Sequence, residues 1–520
     1  MRNGLQALVR SLADPGLLRL RSTVVAYATV LITAAIACVP AIRFGLGISV
    51  VVLAVMLSIS FTPERAGASA RQRLASIVVL PLVGIAAGGV GSLMFKMPLI
   101  GDSLFVLVLS GAIWIRRYGP VTTRVGTLIA LPFITVLIVP APIRPGEGFV
   151  PWAAAMALVV AVVALALQWA ARASGLLPRP VTGQIAAGRN IVSPTPRATR
   201  SSTMRPIVST RMALQMAITL AGAFLIGHLV FGEHWFWAVL TGYVVASGNR
   251  GRGDVLFKGI HRTVGALGGT VLATLLSVFA THAAETGPTA GMSVLAIGVI
   301  LALGLWLRPT GYGWWAAAMT AMISILHELE GTSPGPAMLV RFAAIVVAAA
   351  FAVAVAWWVL PVHTAAVMRG RVSAALVALT DLLVACIKQP EDIQRHRASF
   401  DGALTALRQL GPTLRLERTA RLRDRGAVHR ADVIPAIEAC WEPADDIAAR
   451  VEHGHSLSTA ESRELGALAR HVGACRRMLV GAPRPQTPDA ARAFPDLHAA
   501  IIGLEAPLPL IARPAEPQPS

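Results

Sequence analysis

Charge is what this sequence has least of. Only 14% of its 520 residues are charged and 55% are hydrophobic, whereas about a quarter charged is usual for a soluble domain. That excludes an ordinary soluble chain and points to membrane spans. Acid is scarcer still: 27 Asp and Glu stand against 46 Lys and Arg, for a formal net charge of +19. In a soluble protein such an excess would suggest nucleic acid. Here the arginines gather in short loops between apolar runs, where they orient spans, so nucleic acid is not an expected partner. Cysteine is sparse as well. Cys38, Cys386, Cys440 and Cys475 form no CxxC pair, so neither a disulfide framework nor a zinc site follows. The chain has no Gly-x-x-x-x-Gly-Lys-Ser/Thr phosphate cradle, no Gly-x-Ser-x-Gly elbow and no HExxH. No enzyme, no cofactor and no metal are therefore expected. Glu452-His453-Gly-His455 reads as surface decoration.

What the chain does have is long apolar runs. A span needs about 20 mostly apolar residues. Six candidates fall at 22–42, 45–62, 74–96, 98–116, 122–141 and 151–172. Six more fall at 210–231, 235–249, 259–282, 291–307, 312–327 and 338–360. The run ending at Cys38 faintly resembles a lipoprotein cleavage box, but Ala35 stands where leucine is usual, so an uncleaved first span is expected. Basic residues cluster in alternate loops: Arg65, Arg71 and Arg73; Arg116, Arg117 and Arg124; Arg250, Arg252, Lys258 and Arg262; Arg308; Arg369 and Arg371. The remaining loops offer little beyond Arg43, Lys96, Arg144 and Arg341. This bias predicts a multi-pass protein of a bacterial-type inner membrane with both termini cytoplasmic.

The halves resemble each other. Trp114-Ile-Arg116-Arg-Tyr118-Gly119 returns as Trp306-Leu-Arg308 followed by Tyr312-Gly313, and both third spans carry a Gly-x-x-x-Gly pair, Gly84/Gly88 and Gly265/Gly269. With six spans per half, both copies share one orientation. The expected fold class is an all-α membrane protein of about twelve transmembrane helices in two parallel six-helix repeats, plus a C-terminal cytoplasmic helical domain. The expected divisions are 1–172, the first repeat; 173–209, a flexible cytoplasmic linker; 210–361, the second repeat; 362–513, a cytoplasmic α-helical domain; and 514–520, a disordered tail. In 362–513, apolar residues recur at helical spacing, as at Leu376, Leu379, Leu382 and Leu383. Breaks near Pro390, Pro412, Pro435 and Pro443, and again at Gly481–Pro488, predict roughly five amphipathic helices.

Polar groups in or beside the membrane are candidate working residues, because burying them is costly. His228, Glu233 and His234 fall at the outer ends of spans seven and eight, and His327, Glu328, Glu330 and Arg341 around spans eleven and twelve. Glu233 with His234 is the candidate proton-coupling pair, since histidine titrates near neutral pH; wet outer-loop residues are the plain alternative. Asp102 reads as a helix cap. On the inner side Arg262 and Arg308 could draw in an anion, or serve only as topology anchors. Trp235, Trp237 and Tyr312 could stack an aromatic ligand, or form an interfacial belt.

A span opening on Trp235 and Trp237, then a basic loop, then Arg262-Thr263-Val264-Gly265 with Gly268 and Gly269, resembles the fusaric acid resistance (FUSC)-like family of aromatic acid exporters. The resemblance covers the membrane portion, best over 210–360. It departs from the better-known exporters in having its larger soluble part at the C-terminus rather than between the halves. The resemblance implies efflux of aromatic or other organic carboxylates. With no nucleotide site, the expected energy source is the proton gradient. The alternatives are a passive organic-anion channel and a non-transporting envelope or scaffold protein. Expected partners are membrane lipid and a small organic anion, with homo-oligomerisation left open.

Overall fold

The structure, a computed structural model, describes residues 17–45, 49–60, 70–138, 149–177, 208–248, 251–284, 289–308, 310–329, 334–360, 364–420, 429–486 and 492–512. Of the expected linker, 178–207 lie outside these residues, as do Arg65, Arg144, Arg250, Glu330 and the tail 514–520. The described residues are helical throughout their regular structure and contain no strand. The chain divides into two compact units, described here separately.

The first unit takes in the helices between residues 17 and 360. They are α1 (Leu18–Arg43), α2 (Ser49–Ser60), α3 (Ala70–Lys96), α4 (Pro98–Trp114), α5 (Pro120–Ile138) and α6 (Phe149–Ala173). After the break come α7 (Val208–Ile226), α8 (Trp235–Ala246), α9 (Arg252–Ala284), α10 (Thr289–Leu307), α11 (Tyr312–Leu329) and α12 (Pro334–Trp358). Each falls on one of the twelve apolar runs. Length and apolarity suffice for a crossing at Arg19–Arg43, Pro98–Tyr118, Ala154–Ala173, Ser209–Ala246 and Leu339–Trp358, with shorter apolar helices between them. The surface agrees: Ile42, Leu99, Leu229, Leu339 and Trp358 are each more than 70% exposed, which water would penalise and lipid does not. This is a multi-pass membrane protein.

Ser209–Ala246, taken as one helix, would be about 57 Å long at 1.5 Å per residue, far more than a bilayer's apolar core. It is a hairpin. Gly227–Phe231 widens to a π-turn, and Gly232, at φ 52°, reverses the chain in a conformation that strains any side chain. The returning α8 lies against α7 so closely that a Cβ on Gly227 would stand 3.0 Å from Trp235, and one on Gly242 3.3 Å from Ala223.

Among its described residues the second unit, from residue 364 onward, has seven α-helices where about five were expected. They are α13 (Thr364–Lys388), α14 (Ile393–Arg408), α15 (Gly411–Ala420), α16 (Val433–Glu438), α17 (Trp441–Glu452), α18 (Thr459–Met478) and α19 (Pro495–Gly503). Proline explains the difference. Pro412, Pro435 and Pro443 sit in the first turns of α15, α16 and α17, where a missing N–H costs nothing, so these prolines start helices rather than only ending them. α13 is apolar and long enough to count as a sixth candidate span. Its apolar side chains are spent differently from those of the first unit. Val372, Leu376, Leu379, Leu382 and Leu383 are fully buried in one core with Phe400, Leu404, Leu407, Leu465 and Val472, each such burial being worth about 1.5–3 kcal/mol. Among the described residues of this unit only Val384, Val480 and Leu510 are exposed large hydrophobics. α13 is the central helix of a water-type core.

Candidate functional site

Three buried side chains are charged among the described residues of these twelve helices, Asp254, Arg262 and Arg341, each 5% exposed, and two of them are arginines. Arg262 lies on α9, one turn before the glycines that set that helix against α11. A Cβ on Gly265 would come within 2.6 Å of the Gly313 carbonyl oxygen, and one on Gly269 within 2.3 Å of that of Ala317. Only glycine allows this backbone approach. The contact brings Arg262 to the first turn of α11, where its guanidinium lies close enough to act on the Tyr312 hydroxyl. The Arg262 Nε has no hydrogen-bond partner.

Arg341 comes from α12, seven residues after its first residue, Pro334. Its guanidinium lies 3.8 Å from the centroid of the Trp237 ring on α8, a cation–π stack. Nη1 donates to Ser324 Oγ at 2.6 Å and Nη2 to the Thr320 carbonyl at 3.0 Å, both on α11. The Arg341 Nε is unpartnered, as is the buried hydroxyl of Thr320. Arg262 and Arg341 lie close enough for their charges to act on each other. Among the described residues neither makes an ion pair. Their like charges repel, and one anion between them adds two attractions that outweigh the repulsion. Four helices thus build a cationic site with hydroxyls and an indole at its edge.

The candidates read from the sequence divide between several places. Arg262, Tyr312 and Trp237 belong to this site. Arg308, at the end of α10, has its guanidinium 5.2 Å from the Trp315 ring and one Nη1 unpartnered, and its described contact is with Trp315. Trp235 stacks instead on His228 (5.1 Å) and Phe224 (5.5 Å). Glu233 and His234 form a short 3-10 turn; Glu233 is exposed, His234 half-buried, and neither has a hydrogen bond or ion pair among the described residues. The side chains of His327 and Glu328 lie outside the description. Arg341 had been grouped with the outer loops. The signal that marks it out is a single arginine inside an otherwise uncharged 25-residue helix.

Asp102 is a correction. It was expected to cap α4, but the residue in the cap position is Met97, which makes no side-chain cap bond. The Asp102 carboxylate reaches across to His228, Oδ2 to Nε2, at 2.8 Å.

No curated protein matches this chain. Residues 218–355, which run from the middle of α7 into α12 and contain Trp237, Arg262, Tyr312 and Arg341, match the family model described as fusaric acid resistance protein-like. That stretch of the chain, about a quarter of its length, is similar to fusaric acid resistance protein-like domains, a likeness that suggests a membrane protein of the transport or resistance type.

Proposed function

We propose that this protein exports organic anions, aromatic or other hydrophobic carboxylates, across a bacterial-type inner membrane at the expense of the proton gradient. The observation that carries the reading is the Arg262–Arg341 pair, two buried guanidinium groups without a described carboxylate. A structural ion pair would have supplied its own counter-ion; this site leaves that place to a ligand. A substrate carboxylate accepts from the free Nε–H groups of both arginines, and Tyr312 and Thr320 offer hydroxyls beside it. Trp237 covers one face of the Arg341 guanidinium, so an aromatic substrate has a ring to stack on and a cation to share. The arginine bias of alternate loops orients the chain with both termini, and the second unit, in the cytoplasm.

The test is efflux of labelled benzoate from cells producing Arg262→Ala or Arg341→Ala. Export should fall to the level of cells lacking the protein, and unchanged export in both variants would sink the site. Collapsing the proton gradient in vesicles separates the mechanisms: an exporter stops, whereas flux that persists belongs to a passive channel. A full-length protein that moves no anion in either assay is the envelope scaffold instead.

A further inference from the structure

We infer that Asp102 and His228 form the proton-binding site of this transporter, linked to the arginine site by the aromatic row Trp235–Phe236–Trp237. The inference rests on the export reading and names its coupling residues. The pair joins α4 to the end of α7, residues 126 apart in sequence, through the 2.8 Å contact. Its two ends differ in access: the Asp102 side chain is 13% exposed and that of His228 36%, so protons arrive by way of the imidazole. The second carboxylate oxygen, Asp102 Oδ1, is buried without a partner. Hydrogen bonding has therefore not used up this carboxylate, which keeps an acceptor oxygen in hand.

The backbone around His228 is built for the pair. The π-turn Gly227–Phe231 interrupts the regular ladder at this residue, a device found often at working sites. The ring is held between Phe224, nearly parallel at 17° and 6.2 Å, and Trp235 at 5.1 Å. Other ionisable groups on the neighbouring elements are Lys96 at the end of α3, which is exposed, and Glu233 and His234 in the 3-10 turn. None of them makes a described contact with the pair, and the charged group acting on Asp102 is His228.

The proton balance is simple. With neutral His228, Nε2–H donates to Asp102 Oδ2, and the Nδ1 lone pair takes a proton from the medium. The pair then goes from one negative charge to none, and release returns the proton to the medium. From His228 the contacts run on without a gap: Trp235 to Phe236 at 6.3 Å, Phe236 to Trp237 at 4.9 Å, Trp237 to the Arg341 guanidinium at 3.8 Å. The charged pair holds this row with Trp237 on Arg341. An aromatic anion competes for the same face of Arg341. Proton and substrate thus favour opposite arrangements of one row, which is the sign an antiporter needs.

The test uses purified full-length protein and benzoate as the probe, with Trp fluorescence as the reading. An imidazolium stacked on Trp235 should quench it, giving a step as the pH falls. The step should vanish in His228→Gln and move in Asp102→Asn. Saturating benzoate should lower its midpoint by about one pH unit, a tenfold loss of proton affinity. In liposomes both variants should lose gradient-driven benzoate accumulation about tenfold yet keep benzoate–benzoate exchange. A step that survives in His228→Gln overturns the proton site. A step unmoved by benzoate, when equilibrium dialysis shows benzoate bound, overturns the coupling. Exchange lost together with accumulation makes the pair structural and overturns it too. If wild-type protein binds no benzoate but keeps the step, the export reading fails and the coupling with it, while the proton pair stands.

Discussion

The two units treat a buried charge in opposite ways. In the second, Glu505 is 1% exposed and fully spent: Oε1 meets His471 Nε2 at 2.9 Å and Oε2 accepts from Arg484 Nε at 2.6 Å. The half-buried Arg397 is bracketed by Asp445 at 2.6 Å and Glu452 at 3.4 Å, and the Asp445 hydrogen bond raises its already high pKa further. In the first unit the two buried arginines have each other, an indole and a few hydroxyls. A fold that needed Arg262 and Arg341 only for stability would have supplied an acid. On the export reading, the difference separates charge used to hold helices together from charge kept for a ligand.

The comparison can be broken by substitutions that act on stability in one unit and on transport in the other. The largest effect should come from Glu505→Ala, which strands His471 and cuts its tie to Arg484; about 3 kcal/mol of the second unit's stability should go, read as a lower denaturation midpoint of the full chain. Arg341→Met keeps volume and removes a repelling charge. Its midpoint should stay level or rise while benzoate efflux falls by ~30-fold or more, about 2 kcal/mol of lost anion binding. A drop in stability as large as that of Glu505→Ala would erase the distinction. Gly269→Ala sets a Cβ against the Ala317 carbonyl, which cannot turn aside, and should cost ~1–3 kcal/mol and lower efflux with it.

The smallest effect concerns the α18 cap. The Ser458 backbone and side chain hold the Glu461 carboxylate below its ordinary value of 4.5. A depressed carboxylate adds stability above the unfolded value and loses it as pH falls through the folded one. Melting curves of wild type and Glu461→Gln should therefore differ slightly at pH 7 and converge below about pH 4. Curves that diverge further in acid would reverse the sign.

Local signals made part of this legible. Each of the twelve described helices of the first unit carries an apolar run, and Arg262 with Gly265 and Gly269 forms a recognisable local pattern. Arg341 was visible but assigned to a loop, because a sequence gives a residue's position in a run and not its depth among neighbours. Asp102 and His228 are 126 residues apart and meet only through the packing of α4 on α7. No spacing rule reaches that far. The prolines of the second unit misled for a local reason, since one residue type can end a helix or begin one. Trp235 and Trp237 looked equivalent, yet their rings lead to different partners, His228 and Arg341.

The glycine contact between α9 and α11 has a mechanical consequence. Where a carbonyl faces a bare Cα there are no rotamers to rearrange, so the helices either keep register or separate altogether. They behave as one strut, and Arg262 and Tyr312, mounted on its two members, move as a unit. The parts that can change the shape of the anion site are those outside the strut: α8 with its indole and α12 with its second guanidinium. On the export reading, a transport cycle is therefore motion around a fixed post.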